Sequence, residues 1–330
     1  RLHIERVALT RDGGSVVGMV GRADFLEGGV DIAVDNLFLE LAGLIWENSD
    51  ELKVSIADGE ILMADFALAS EMGVINVEQG SYSGGRFEAT AGVEELDLKM
   101  LRDVLEAEIP TGTAHMSFQI AGSADSVSFD LAFGVSNGAI REIPFQELSG
   151  SIVYDGSTLD VRRIELAQNG GDVLVRGSIP VDLAPARIQE LRKQGRALDL
   201  IDDLGNMEIN VKDVDIALLE PLFPPLARLK GTAELRMDMS GNRQNPLLTS
   251  TGTLGDAVFG ETRLGEISWD LALSDSVLRL TRVAFGSDDE QGEIRGNVPL
   301  AVSILPFESK LLDRPIDVAF QVENGNMGLM

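Results

Sequence analysis

Residues 159–166 read LDVRRIEL, and the order of side-chain types in this octet admits few folds. Apolar residues alternate at Leu159 and Val161, skip across Arg162 and Arg163, and resume at Ile164 and Leu166. A helix repeats every 3.6 residues and a strand every two, so this is strand periodicity with one residue added. One extra residue in a strand is a β-bulge. It returns the later apolar side chains to the face of the earlier ones and bends the strand. The same slip occurs at 278–285 (Leu278, Leu280, then Val283, Phe285), at 2–9 (Leu2, Ile4, then Val7, Leu9) and at 61–68 (Ile61, Met63, then Phe66, Leu68).

The flanks recur with the slip. Asp58-Gly59, Asp155-Gly156 and Asp275-Ser276 precede three of the copies, and such pairs between alternating runs signal hairpins. Polar turns follow: RDGG at 11–14, SEMG at 70–73, QNGG at 168–171 and SDDEQG at 287–292. Two units close on Arg-Gly-x-x-Pro, at 176–180 and 295–299. Gly112 and Gly231, Gly122 and Gly241, Leu148 and Ile267, Ile152 and Leu271, and Pro180 and Pro299 align at one common offset. The expectation is a repeated β unit, with Gly177 and Gly296 permitting a bend and Pro180 and Pro299 ending the pairing. Ile267, Trp269, Leu271 and Leu273 alternate with polar or small residues as one of its strands.

Two short helices interrupt the strands. Residues 97–108 place Leu98, Leu101, Val104 and Leu105 on one stripe, with Asp97 as cap and Pro110 beyond. Residues 185–194 begin with a permitted proline and end at Gly195. The region 217–229, which matches the first helix, carries Pro221, Pro224 and Pro225, so at most one turn is expected there. The organisation expected is one to two partial units over 1–94, a unit with an N-terminal helix over 95–182, a helical connector over 183–204, a second unit over 205–304 and the start of another over 305–330.

A net charge of −27 excludes a phosphate-neutralising surface, so nucleic acid is not an expected partner. The absence of cysteine removes disulfides, thiolate metal sites and a cysteine nucleophile. No apolar run is long enough for a transmembrane helix. The chain starts at Arg1 and stops on NGNMGLM, which reads as a piece cut from a longer chain. Gly134-Val135-Ser136-Asn137-Gly138 fits the nucleophile-elbow spacing, but its only histidines, His3 and His115, precede the serine, so a strand turn is expected. His3 and His115 read as solvated or packed strand residues. Asp288-Asp289-Glu290 lacks the spacing of a calcium loop and reads as a hairpin tip. No catalytic residue, metal or cofactor is expected.

Residues 231–241 (GTAELRMDMSG), 245–254, 269–278 (WDLALSDSVL) and 292–300 (GEIRGNVPL) resemble the repeating units of AsmA-like proteins, the TamB/YhdP group of bacterial envelope proteins. The stretches 112–122 and 145–156 carry the likeness into the preceding unit, and it extends loosely over 1–94. The resemblance implies an elongated β-sheet curled into an apolar groove. Such proteins are similar to bridge-like lipid transfer proteins. They are anchored in the inner membrane, here by a segment outside this chain. They span the periplasm and carry phospholipid toward the outer membrane, in one case with a β-barrel partner. The groove would be lined by Ile4, Val7, Leu9, Met63, Phe66 and Leu68, by Leu159, Val161, Ile164 and Leu166, by Ile267, Trp269 and Leu271, and by Leu278, Leu280, Val283 and Phe285. A stacked β-sandwich with a dry core stays open as the alternative fold. A scaffold for outer-membrane protein assembly and a secreted β-repeat adhesin stay open as alternative functions.

Overall fold

A computed structural model describes residues 2–10, 16–41, 44–105, 109–140, 143–194, 203–219, 228–286, 291–304 and 307–323, with the single positions 201 and 226. The chain is mainly β, antiparallel throughout its described pairings, with two short helices. Its contacts divide it into two units, Arg1–Gly156 with Leu183–Glu190, and Ser157–Asp182 with Leu191–Met330.

The first unit opens with β1 (Leu2–Thr10), β2 (Val16–Leu26) and the long β3 (Gly29–Leu41). β3 has two successive partners on one side. Its end pairs with β4 (Leu44–Asn48), and its start pairs with β5 (Leu52–Ala57). The two branches run through β6 (Glu60–Met63) and β7 (Phe66–Ser70), and rejoin on β8 (Gly73–Ser83). The ladder then continues in chain order through β9 (Arg86–Asp97), β10 (Thr111–Gly122), β11 (Val127–Ile140) and β12 (Ile143–Tyr154).

The second unit pairs β13 (Thr158–Gln168), β14 (Gly171–Pro180), β15 (Asp203–Asp215), β16 (Leu229–Asn242), β17 (Asn245–Phe259), β18 (Thr262–Ser274), β19 (Val277–Gly286) and β20 (Gln291–Ile304) in chain order. β20 then takes two partners, β21 (Phe307–Leu311) on its last residues and β22 (Asp317–Glu323) on its first. The sheet curls far enough that β20 returns to the β16–β17 turn, where Ile304 N–H donates to Arg243 O at 2.9 Å.

The helices stand where the periodicity places them. α1 spans Leu98–Leu105, and Asp97 Oδ1 accepts from the N–H groups of Lys99 (2.8 Å) and Met100 (3.2 Å). The expected positions 106–108 lie outside the described residues. α2 spans Pro185–Lys193. In the region that carries the three prolines, the described residues include a 3₁₀ turn, Ile216–Leu219, capped by Asp215 on Ala217 N–H.

Three of the four slips are bulges in the register: Ile4 to Val7, Val161 to Ile164, and Leu280 to Val283. The fourth is wider. β6 ends at Met63 and β7 begins at Phe66, because the two halves diverge to different partners, β5 and β4. Opposite two of the bulges stand Gly177 (φ 151°) and Gly296 (φ 149°). A Cβ there would lie 2.1 Å from Asn206 O and 2.0 Å from Asp317 O. The glycines therefore serve the close approach of the next strand as well as the bend.

The two prolines behave differently. Pro180 is the last residue of β14, as expected. Pro299 lies inside β20, so it does not end the strand. It marks a change of partner, with Asn297 still paired to β22 and Leu300 already paired to β21. A residue without an N–H fits where one ladder gives way to another. Residues 134–138 are not a turn before a strand either. They lie within β11, where Asn137 has φ 51° and the register to β10 shifts, while Gly138 stands opposite Phe145 in unbroken register with β12. The hairpins follow their turn chemistry: Asp58-Gly59, Asn169-Gly170 and Asp275-Ser276 all hold positive φ at both central positions. The turns at 11–14 and 287–290, the latter containing Asp288-Asp289-Glu290, lie outside the described residues.

Gly177→Val is expected to lower unfolding stability by about 3 kcal/mol, combining backbone strain with a clash against Asn206 O. Gly84→Ala, in a hairpin with open space around it, is expected to cost about 1 kcal/mol. Denaturant titration separates the two. Equal midpoints for Gly177→Val and the parent would refute the close-approach role.

Candidate functional site: a charge-free sheet face

Antiparallel register places directly opposed residues on one face, so the pairings can be read as rows across the sheet. In the second unit one row runs Leu166, Val173, Val211, Leu235, Gly252, Trp269, Val283, Ile294, Phe320. The next runs Ile164, Val175, Ile209, Met237, Ser250, Leu271, Leu280, Gly296, Val318. A third runs Val161, Gly177, Met207, Met239, Leu248, Leu273, Leu278, Val298. None contains a charge. The intervening positions form the other face. They include Glu208 opposite Asp238, with Arg236 bridging both, and Arg282 beside Glu293.

Strands lie about 4.8 Å apart, so the nine-residue first row runs about 38 Å along the sheet. That exceeds the roughly 30 Å hydrocarbon thickness of a bilayer, in which one acyl chain occupies half.

One hydroxyl lies within these rows. Ser250 is buried at 4% exposure, and its Oγ accepts from Trp269 Nε1 at 2.9 Å. The indole reaches it across Gly252, where a Cβ would lie 2.6 Å from Trp269 Cζ2. Trp269 thus spends its one polar atom on the one hydroxyl of these rows, leaving its ring as apolar surface.

The expected lining residues of this unit share the face. Val161 and Leu166 are buried; Leu159, Ile164, Ile267, Trp269, Leu271, Leu278, Leu280, Val283 and Phe285 are half-buried. Sequence reading missed Met207, Met237 and Met239 on β15 and β16, although their alternation is visible in the chain, and Phe320, which stacks on Phe285 at 5.9 Å between ring centroids.

The first unit carries equivalent rows. One runs Ala23, Ile32, Val54, Met63, Gly80, Ala89, Ile120, Phe129, Tyr154. Here a buried cluster forms at the fork where β6 and β7 take different partners. Phe66 packs with Val34 and Leu52 in a buried cluster flanked by Met63 and Leu68. Ile4, Val7 and Leu9 pair with Gly21, Met19 and Val17, while their side chains lie outside the described residues. Tyr154, buried at 1%, accepts the Leu183 N–H on its hydroxyl at 2.9 Å and tilts against Phe129. His3 and His115 are exposed on their strands.

On the polar face Glu293 accepts from Arg295, and from Arg282 Nε at 3.0 Å. The Arg295 hydrogen bond, then that of Arg282, hold its carboxyl below the usual value against some desolvation. Among the described residues no cluster of three metal-ligating side chains occurs, and no helix is long and apolar enough to cross a membrane. No protein-family model, curated protein or solved structure matches this chain.

Trp269→Phe should cost about 1–3 kcal/mol, because it leaves the buried Ser250 hydroxyl without its donor. Adding Ser250→Ala to Trp269→Phe should recover part of that loss in a double-mutant cycle. Strict additivity of the two substitutions would show that the hydrogen bond contributes nothing.

Proposed function

We propose that this chain is a segment of a bridge-like protein in a bacterial envelope, which carries phospholipid acyl chains along its apolar sheet face. The observation that carries the reading is the uninterrupted, charge-free set of rows on the second unit. They are backed by a charged face and lack a second layer of described structure packed over them. An ordinary two-layer sandwich hides such a face; this sheet leaves it half-exposed.

The physical task suits such a surface. Burial of one CH₂ contributes roughly 0.8 kcal/mol, so drawing two acyl chains fully into water costs on the order of 20 kcal/mol. A continuous apolar strip lowers that barrier by solvation alone, with no bond made or broken. The resemblance to AsmA-like repeats supplies the setting: an inner-membrane anchor outside this chain, a periplasmic span and delivery toward an outer membrane. Trp269, Leu271, Leu280, Val283 and Phe285 are the residues assigned to contact lipid.

Photocrosslinking amino acids at Leu280 and Val283, with Arg279 and Glu165 as controls on the charged face, test the reading in bacterial envelopes. Phospholipid adducts are expected at the first two positions and absent at the controls. Adducts to protein alone at Leu280 and Val283 would defeat the conduit and favour a scaffold for outer-membrane proteins.

A further inference from the structure

A glycine on the apolar face leaves a dent, because no side chain stands there. On the second unit three such glycines are covered by the tip of the side chain directly opposite: Gly252 by Trp269, Gly292 by Phe285 and Gly177 by Met207. A Cβ at each glycine would lie 2.6 Å from Trp269 Cζ2, 2.6 Å from Phe285 Cζ and 2.6 Å from Met207 Sδ respectively. The large side chain therefore occupies the place that the glycine leaves empty, and the face stays level.

Two of these three plugs are fixed. The Trp269 indole donates to Ser250 Oγ at 2.9 Å, and the Phe285 ring stacks on Phe320 at 5.9 Å between centroids. The plug at Gly177 is of another kind. Met207 carries an unbranched thioether that turns about three bonds. The side chains on its far side are of the same type. Met239 stands directly opposite Met207, and Met237 lies two residues along β16, opposite Ile209. All three methionines are half-buried. Val and Ile, frequent elsewhere in the rows, are held stiffly at χ1. Of the three dents, the one at Gly177 is thus the one that opens when a single flexible side chain turns aside, and its floor is the backbone of β14.

Such a hollow matters to an acyl chain. A saturated chain is straight and keeps its CH₂ groups in contact along a level strip. A cis double bond bends the chain. On a level strip one arm of the bend lifts away and loses its dispersion contacts. A hollow beneath the bend lets both arms stay down.

We infer that Gly177 and Met207 form a subsite for the bend of a cis-unsaturated acyl chain, with Met207 turning toward Met239 as the chain settles. The subsite rests on the acyl-chain reading of this face and specifies which chains the face takes. Straight chains lie across Met207 in its place over Gly177, and bent chains displace it.

The test uses the full 330-residue chain stripped of lipid. Two fluorescent fatty acids that differ in double-bond geometry, the bent cis-parinaric acid and the straight trans-parinaric acid, are titrated against it. Binding is read from the rise in probe emission. The parent is expected to bind both. Met207→Phe sets over Gly177 a ring of the sort that covers Gly292, and should lower the ratio of cis to trans affinity about tenfold, the scale on which a pocket reads a small change of apolar shape. Met207→Ala leaves the hollow open and should raise that ratio. Both acids are read on the same sample, so partial unfolding of a variant cancels from the ratio. Failure of the parent to bind either acid would defeat the acyl-chain reading and the subsite with it. Binding of both acids by the parent, with a ratio that Met207→Phe leaves unchanged or that both variants lower alike, would leave the acyl-chain reading standing and overturn the subsite.

Discussion

Side-chain parity governs this protein. A strand that bends by gaining one residue sends every later side chain to the opposite face, unless the extra residue is taken up in a bulge. Here the compensation is built in at each bend. Val161 and Ile164 flank two arginines, Leu280 and Val283 flank Thr281 and Arg282, and the apolar rows resume unshifted on the far side. Arg162, Arg163, Thr281 and Arg282 are all exposed, so the bulge also delivers hydrophilic groups to solvent. Gly177 and Gly296 complete the device, because the neighbouring backbone comes within a distance that no Cβ allows.

A second set of bulges uses a different solution. Glu95, Asn137, Asp213 and Asp256 all adopt positive φ within strands. Asn and Asp tolerate that conformation better than most residues, and Glu95 does so at some cost. Each returns an apolar or small residue to the face: Leu96, Val214 and Ala257 are buried just beyond three of them. The curl of the second unit depends on such bends. At its tightest end, where Ile304 meets the β16–β17 turn, Leu273 is buried to 5%.

The bulges at Arg162-Arg163 and Thr281-Arg282 were legible because period-two alternation broke and resumed within eight residues. The Asp97 cap and the proline-limited turn at Ile216–Leu219 were legible for equally local reasons. The bulges at Glu95, Asp213 and Asp256 were not, since each acidic residue follows another polar residue or a glycine (Glu94, Lys212, Gly255) and reads as an ordinary outward or turn position. The split partnering of β3, β8 and β20 also left no local signature. It depends on which distant strands compete for one edge, as Met63 and Phe66 show by parting to β5 and β4. Likewise, alternation identified the face of Phe66 but not its burial against Val34 and Leu52, which depends on the split between the β4 and β5 branches.

The charge distribution follows from having one apolar face. A sheet that leaves such a face half-exposed risks stacking face to face with another copy, and the surplus of carboxylates opposes this. Several cations are tied to that surplus: Arg236 lies between Glu208 and Asp238, Arg22 contacts Asp35 and Glu51, and Arg282 and Arg295 share Glu293. Pairs this exposed add little to stability. What remains is net negative, so the charged face repels other anionic groups.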